Sequence, residues 1–213
     1  MAEAGSGPRD KSGFQPPVTV AITGASGAQY GLRLIEALVA AGHEVWVMIS
    51  KAAHLVIETE TDADLPARPE RLARALIERS GAAPGQIRCF GREEWMAPVA
   101  SGSGAPSAMV ICPCSTGTLS AVATGASNNL IERAADVALK ERRRLILVPR
   151  ETPLSAIHLE HMLNLTRMGA VILPAAPGFY HQPERVEDLV DFIVARILNQ
   201  LGIEHRLLPR WGE

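Results

Sequence analysis

Three hydroxyl side chains follow an apolar run near the middle of the chain, within Cys112-Pro113-Cys114-Ser115-Thr116-Gly117-Thr118. The run before them, Ala108-Met109-Val110-Ile111, predicts a buried strand, and the small residues after them predict the start of a helix. The first turn of a helix carries unpaired N–H groups and a partial positive charge, to which Ser115, Thr116 and Thr118 add hydroxyl donors. This stretch therefore predicts an anion-binding turn.

A second donor-rich turn, Gly24-Ala25-Ser26-Gly27, follows the apolar run at residues 18–23. Ligands of an open parallel sheet lie beyond the carboxyl ends of its strands, so both turns would face one ligand. A dinucleotide fingerprint would need glycine at Ala28 and Tyr30, and an acid where Ser50-Lys51 stands. The pattern therefore favours a phosphorylated cofactor held by N–H groups and hydroxyls over nicotinamide, with a plain tight turn as the alternative.

Charged side chains follow the predicted strand at residues 144–148 and also lie on the helix before it. Arg150 comes directly after the strand, where an arginine can clamp a phosphate, and Glu151 beside it is a candidate proton shuttle. Arg133 and Lys140 lie seven residues apart, two turns along one helix face, and would suit a phosphate. A surface ion pair and a solvated helix face are the alternative interpretations of these two pairs.

The remaining candidates are isolated in the sequence. Tyr180 lies in a Pro/Gly loop, where it could donate to an anion or pack as a lid. Arg196 interrupts the apolar face of the last helix, where a snorkelling edge residue is the alternative. His158 and His161 lack the H-E-x-x-H order, and the C-x-C spacing has no second pair, so no metal site is predicted.

Composition limits the class of protein. The chain has 213 residues and is 47% hydrophobic, enough for one domain with a full core. A formal net charge of −2 and an aromatic content of 4% argue against a nucleic-acid-binding or membrane-surface protein. The 3 cysteines cannot all pair internally, and no apolar leader or membrane-length apolar run is present. We therefore expect a cytoplasmic protein.

Strand and helix patterns alternate along the chain. Apolar runs predict strands at residues 18–23, 44–49, 86–90, 108–111, 144–148 and 171–173. Helices are predicted at residues 28–41, from 51, at 70–79, from about 115, at 130–141 and 155–168, and from Pro183. This alternation predicts an α/β fold, a three-layer, doubly wound parallel sheet of Rossmann-like or flavodoxin-like type. Residues 1–17 are predicted to form a disordered arm, residues 18–204 a single domain, and residues 205–213 a tail.

Six motifs stand in an order that resembles the flavin prenyltransferases, the UbiX-like family. They are Gly24-Ala25-Ser26-Gly27-Ala28, Ser50-Lys51-Ala52-Ala53, Pro113-Cys114-Ser115, Arg133-Ala134-Ala135-Asp136-Val137-Ala138-Leu139-Lys140, Val148-Pro149-Arg150-Glu151-Thr152-Pro153-Leu154 and Phe179-Tyr180. The resemblance covers residues 18–204. It implies an enzyme that joins a dimethylallyl group, from dimethylallyl monophosphate, to N5 and C6 of reduced FMN without a metal. The prenylated FMN would serve a UbiD-type decarboxylase, and the enzyme would be a homo-oligomer, a dodecamer.

The resemblance also assigns residues to the flavin. The residues expected to contact FMN are Gly24, Ala25, Ser26, Ser50, Ser115, Thr116, Gly117, Thr118 and Arg150. Ser26 and Glu151 would move protons. Trp95 would stabilise an allyl cation through its ring face, with core packing as the alternative.

A second set of residues is assigned to the prenyl phosphate. Lys140, Tyr180 and Arg196 would hold it, with Arg133 and Glu60 assisting from a neighbouring part of the assembly. Fixed cations beside a departing phosphate stabilise the transition state in which the allylic C–O bond breaks.

Two other functions remain open at this stage. A flavin-dependent decarboxylase of the related Cys-decarboxylase type would carry a P-A-S/T-A-N-T segment, whereas this chain has Pro113-Cys114-Ser115-Thr116-Gly117-Thr118 without the asparagine. A non-catalytic FMN carrier would need no separate phosphate-binding set such as Lys140, Tyr180 and Arg196.

Overall fold

The computed structural model describes residues 13–208. The strands are β1 (Gln15–Ile22), β2 (His43–Ile49), β3 (Ile87–Cys89), β4 (Ala108–Cys114), β5 (Arg144–Pro149) and β6 (Val171–Ile172). The helices are α1 (Ala28–Ala40), α2 (Lys51–Glu60), α3 (Pro69–Ser80), α4 (Thr116–Ala123), α5 (Leu130–Lys140), α6 (Ala156–Arg167) and α7 (Val186–Leu201), and a 3₁₀ turn spans Pro98–Ala100. None of the helices in residues 13–208 combines the length and apolar character needed to cross a bilayer.

The strands form a single parallel sheet in the order β3-β2-β1-β4-β5-β6. From β1 the chain passes through α1 to β2 on one side. The crossover after β3 returns to the other side of β1 and enters β4. The gap between the carboxyl ends of β1 and β4 is therefore the topological switch point, where open sheets of this kind bind their ligands. The predicted doubly wound parallel sheet is confirmed.

Two apolar clusters cover the two faces of the sheet. On β1, Val20 and Ile22 belong to the cluster shared with α1 and α7, while Ala21 belongs to the cluster shared with α4, α5 and α6. The alternation follows from the two-residue repeat of a strand. Because both faces are covered, β4 is buried along its whole length, which explains its unbroken apolar sequence. The helices on both faces give the predicted three layers.

Some element bounds differ from the sequence prediction. β1 begins at Gln15, because this residue pairs with His43 and its N–H donates to the Gly42 carbonyl at 2.9 Å. Gln15–Pro17 therefore belong to the sheet and not to the predicted arm. β4 continues past Ile111 to Cys114. Residues 1–12 and 209–213 of the predicted arm and tail lie outside the described residues.

The last helix begins at Val186 and not at Pro183. The carboxylate of Asp188 accepts the N–H groups of Glu184 and Arg185, both at 3.0 Å, and so ends the preceding loop in a capped, non-helical conformation. Pro183 is a favourable residue for a helix start, and the sequence prediction relied on it. The sequence pattern does not show the Asp188 cap, which delays the helix by three residues.

Candidate functional site

The two predicted donor-rich turns lie side by side at the switch point. The first turn (residues 24–27) follows β1, and the second turn (residues 115–118) follows β4, the strand paired with β1. Thr23, between β1 and the first turn, joins them: its N–H and its hydroxyl both donate to the Pro113 carbonyl, at 3.2 and 2.9 Å. The structure therefore brings the two turns to one place.

The second turn forms the N-terminus of α4. Ser115 is the N-cap residue, and its Oγ accepts the Thr118 N–H at 3.3 Å and donates to Thr118 Oγ1 at 3.0 Å. The Thr118 hydroxyl hydrogen is thereby left to point away from Ser115. A Cβ at Gly117 would meet no atom within 4 Å, so open space borders the first turn of α4. This helix end has the donors and the room to hold a phosphate.

A third helix N-terminus adjoins the first turn. The Ser50 N–H donates to the Ile22 carbonyl at 3.0 Å, and its Oγ accepts the Ala53 N–H at 3.1 Å as the cap of α2. A Cβ at Gly24 would lie 2.5 Å from the Ala52 Cβ, so this close approach requires glycine. The predicted flavin-contacting residues of both turns and Ser50 therefore lie at one edge of the sheet.

Glu60, the last residue of α2, occupies the N-terminus of α1. Its Oε2 accepts the N–H groups of Gly27 and Ala28, at 2.8 and 3.1 Å. Burial alone would raise the pKa of this carboxyl, but hydrogen bonds from Ser26 and from these two N–H groups, together with the charge of Arg150, lower it. Glu60 was predicted to assist at the prenyl phosphate from a neighbouring part of the assembly. Within one chain, the structure places it against the first turn.

Two predicted residues follow β5 at the same edge. The Arg150 Nε donates to the Ser26 carbonyl at 3.3 Å, which connects the end of β5 to the first turn. Glu151 is exposed, and its Oε1 accepts the Thr152 N–H at 3.1 Å. Arg150 thus borders the first turn, with the exposed Glu151 next to it.

Trp95 lies in the loop after β3, and 46% of its surface is exposed. Core packing, the alternative interpretation, is therefore wrong for this residue. The loop is fixed to the start of α5, because the Leu130 N–H donates to the Arg92 carbonyl at 2.9 Å. Because α5 enters β5 at the amino end of that strand, the start of α5, with the Trp95 loop, faces the carboxyl edge.

Lys140 lies at the opposite edge of the sheet. It ends α5 and pairs with Glu141, just before Arg144 begins β5 opposite Ala108, the first residue of β4. Arg133 lies two turns earlier, about 10 Å along the helix axis. Its Nε donates to the Ala100 carbonyl at 3.1 Å, and Nη1 pairs with Asp136 at 2.8 Å. Within one chain, Lys140 and the two donor-rich turns therefore lie at opposite edges of the sheet.

Tyr180 and Arg196 lie together beside the last helix. Both line an open groove of about 760 Å³ beside the C-terminal half of α7. The Tyr180 and Phe192 rings meet edge to face, with centroids 5.7 Å apart. The end of α7 lies at the amino edge of the sheet, because Arg144 donates to the Gln200 carbonyl. The predicted prenyl-phosphate set is therefore divided within one chain, with Lys140 at the end of α5 and Tyr180 and Arg196 beside α7.

Sequence reasoning missed the roles of Thr23 and Tyr30. The sequence predicts Thr23 only as the end of a strand. A hydroxyl residue directly before a glycine turn is the signal that could have indicated its contacts with the second turn. Tyr30 packs beneath the first turn, where a Cβ at Gly27 would lie 2.7 Å from its ring. Burial, and to a lesser degree Cys112, raise the pKa of the Tyr30 phenol, while the charge of Arg150 opposes this. The phenol therefore stays protonated beside the site.

Burial keeps the cysteine thiols in their neutral form. Burial raises the pKa of the Cys89 thiol to about 12 and raises the pKa values of Cys112 and Cys114 further. Thiols held in this form are poor nucleophiles and poor metal ligands. Among residues 13–208, no group of three or more His, Cys, Asp or Glu side chains could hold a metal ion.

Comparisons with known proteins agree with this geometry. The flavoprotein family model matches residues 6–198. The flavin prenyltransferase UbiX of Pseudomonas aeruginosa is 72% identical over 196 residues, which cover 92% of this chain and 94% of that protein. The crystal structure of AnUbiX (PadA1) in complex with FMN and dimethylallyl pyrophosphate has a TM-score of 0.83 at 41% identity, covering 93% of this chain and 98% of that one. A dodecameric FMN-dependent UbiX-like decarboxylase from Escherichia coli O157:H7 has a TM-score of 0.81 at 40% identity, covering 92% and 100%.

Proposed function

The chain belongs to the flavin prenyltransferases of the flavoprotein family, and we propose that its two carboxyl-edge turns hold the FMN that receives the prenyl group. The enzyme makes prenylated FMN from reduced FMN and dimethylallyl phosphate. The observation that carries our assignment of residues is the pairing of the turn at residues 24–27 with the turn at residues 115–118.

The donors at this edge fit a flavin mononucleotide. Its phosphate would lie at the N-terminus of α4, where Ser115 and Thr118 provide hydroxyls, with the Ser50 cap of α2 beside it. The N-terminus of α1 is a poorer choice, because Glu60 already takes the N–H groups of Gly27 and Ala28. Gly24, Ala25, Thr116, Gly117 and Arg150 would then border the rest of the flavin.

Each remaining residue has a role set by its chemistry. Reduced FMN, when bound, would supply N5 as the nucleophile for the carbon that loses the phosphate. It would also supply C6 for a later ring closure, in which the alkene must gain one proton and C6 must lose one. Lys140, Tyr180, Arg196 and Arg133 would hold the phosphate and stabilise the charge that it gains on leaving. Trp95, exposed at the same edge as the turns, would face the allyl cation. A closed pocket would keep out water that could react with this cation.

Proton transfer falls to acidic and hydroxyl groups of the first turn and of the end of β5. The Ser26 hydroxyl hydrogen-bonds the Glu60 carboxylate, which can accept or return a proton through it. Glu151 is exposed beside Arg150 and would exchange a proton with the substrate. These roles for Ser26, Glu60 and Glu151 are part of our proposal.

The divided phosphate set supports an oligomeric site. Lys140 lies at the amino edge of its own sheet, and Tyr180 with Arg196 lies beside α7, so copies of the chain would complete one another's sites. α6 supports this, because Ile157, Leu159 and Leu163 are 61%, 53% and 49% exposed. Large apolar groups on one helix indicate a covered surface. We propose a homo-oligomer, a dodecamer as described for the Escherichia coli relative.

The donor substrate and the user of the product are proposals from the family resemblance. We propose dimethylallyl monophosphate as the donor, and a UbiD-type decarboxylase in the cytoplasm as the recipient of prenylated FMN. The relative AnUbiX was solved with the pyrophosphate, so the two donors need a direct comparison.

The test is the mass of the flavin after reaction. The protein is mixed anaerobically with reduced FMN and either dimethylallyl monophosphate or the diphosphate, and the flavin is extracted. We expect FMN to gain one five-carbon unit with the monophosphate at a higher rate than with the diphosphate. An unchanged mass with both donors, while FMN remains bound, would favour an FMN carrier or a Cys-decarboxylase-type enzyme.

A further inference from the structure

The regular hydrogen bonding between β1 and β4 stops just before the flavin-binding edge. Their residue pairs run from Val18 with Ala108 to Ala21 with Ile111, and β4 changes register with β5 between Ile111 and Cys114. Pro113 lies in this interval and has no N–H to donate. Cys114 then pairs with Pro149 of β5, so the start of the second turn is fixed to β5, but pairing with β1 does not fix it to the first turn.

Thr23 supplies the missing contacts with one side chain. Its hydroxyl donates to the Pro113 carbonyl at 2.9 Å and accepts the Ser115 N–H at 2.8 Å. Its own N–H also donates to the Pro113 carbonyl, at 3.2 Å. Thr23 is 2% exposed, so water cannot readily replace these bonds. The hydroxyl thus donates its single hydrogen to Pro113 of β4 and accepts a hydrogen from Ser115, the residue that follows β4.

The Ser115 N–H belongs to the residue that organises the second turn. Ser115 caps α4 and also directs the Thr118 hydroxyl, as described above. A shift of Ser115 would move the donors at the N-terminus of α4 relative to the first turn. Thr23 is adjacent in sequence to Gly24, so it fixes one turn while it holds the other.

We propose that Thr23 is a positioning residue for FMN, which sets the separation of the two turns without contacting the flavin. The inference rests on the proposed FMN site, and it deepens that proposal by naming what holds the site in shape before the cofactor binds. It predicts that loss of the hydroxyl harms cofactor binding more than it harms the fold.

The chain offers a matched control four residues before Thr23, within β1. Thr19 is 1% exposed, and its hydroxyl has no hydrogen-bond partner among the described residues. Thr19→Val and Thr23→Val make the same chemical change at two buried positions, one within β1 and one directly after it. Only the second removes hydrogen bonds to the turn that follows β4.

Two measurements test the inference on the full chain. The first is amide exchange in FMN-free protein, where we expect Thr23→Val, but not Thr19→Val, to remove protection from the Ser115 N–H. The second is the FMN dissociation constant, taken well below the melting temperature of each variant. We expect it to rise about tenfold or more in Thr23→Val, as loss of a buried hydrogen bond predicts, and to be unchanged in Thr19→Val. Thr23→Ser keeps the hydroxyl, so it should keep the wild-type protection of the Ser115 N–H and the wild-type FMN dissociation constant.

The outcomes separate this inference from the proposed function. Wild-type protein that binds no FMN would refute the FMN site and this inference with it. If wild-type protein binds FMN, then equal affinities of Thr23→Val and Thr19→Val would overturn the role of Thr23 alone. Should Thr23→Val fail to fold, Thr23→Ser and Thr23→Ala provide the comparison. In that case equal FMN affinities would reject the inference, and a weaker affinity only in Thr23→Ala would support it.

Discussion

At the scale of single residues, Glu60 shows how the chain satisfies a helix end with its own carboxylate. Its bonds to the Gly27 and Ala28 N–H groups place a negative charge at the positive end of α1. The same position would attract the phosphate of a ligand in a protein without such a residue. In our proposal, the α1 N-terminus therefore serves structure and proton transfer, and the phosphate lies at α2 and α4.

The lowered pKa of Glu60 makes its contribution to stability depend on pH. A carboxyl with a depressed pKa in the folded state stabilises the fold above its unfolded pKa, and this stabilisation is lost as the pH falls through its folded pKa. We therefore expect Glu60→Gln to lower the melting temperature at pH 7, with a difference from wild type that shrinks as the solution is acidified below about pH 4. A difference that stays constant over this range would show that the ionised carboxylate is not responsible.

Glu151 is predicted to act on rate and not on cofactor binding. Glu151→Gln keeps the shape of an exposed side chain but cannot transfer a proton, so prenylation should slow by about 100-fold or more. The FMN dissociation constant should stay at the wild-type value. Glu78→Gln, an exposed change on α3, is the control and should leave the rate unaltered. Normal turnover in Glu151→Gln would limit this residue to a structural role.

At the scale of elements, the site depends on glycines that let helices approach a turn or leave room beside it. Gly24 meets Ala52 of α2 closely, whereas Gly117 in α4 faces open space. Glycine is therefore needed at the two positions for different reasons. At Gly24 it allows α2 to pack against the turn, and at Gly117 it leaves room for a ligand.

Changing each glycine to alanine should affect a different property, namely stability for Gly24 and FMN affinity for Gly117. Gly24→Ala brings a Cβ within 2.5 Å of the Ala52 Cβ, so it should lower the free energy of unfolding by about 1–3 kcal/mol. Gly117→Ala meets no atom and improves helix propensity, so stability should stay level or rise by up to about 1 kcal/mol. FMN affinity should nevertheless fall in Gly117→Ala. Urea unfolding and flavin titration measure both, and unweakened binding by Gly117→Ala would exclude this helix end from the site.

Sequence periodicity predicted the strands and their common edge, because apolar runs and caps such as Ser50 and Ser115 are local signals. It did not predict the contact of Glu60 with the first turn, since 33 residues separate Glu60 from Gly27 and no local pattern connects them. The Asp188 cap, after which α7 begins at Val186, was not predicted for a different reason. It depends on which backbone N–H groups the Asp188 carboxylate reaches.

At the scale of the whole molecule, the chain divides its candidate site between two edges of one sheet. The flavin-binding turns lie at the carboxyl edge, while Lys140 lies at the amino edge. The alternation of strand and helix already implied this, because α5 must run back from the carboxyl edge before β5 begins. The six family motifs include both the turn residues and Lys140, but they do not show that these residues lie at opposite edges of one sheet.

An oligomer with shared sites should show complementation between inactive chains. Lys140→Ala and Glu151→Gln should each be nearly inactive alone. Co-expressed, they should form mixed oligomers in which some sites receive Lys140 from one copy and Glu151 from another. We expect prenylation by the purified mixture to exceed that of either variant alone. Activity no higher than the two separate preparations would show that each chain completes its own site.

The most direct test of the account is the position of FMN in crystals of the wild-type protein. We predict flavin density at the switch point between residues 24–27 and residues 115–118, with its phosphate bonded at Thr118 and Ser50 and with Glu60 still on Gly27. A phosphate bound to the Gly27 and Ala28 N–H groups with Glu60 displaced, or a flavin bound away from both turns, would contradict it.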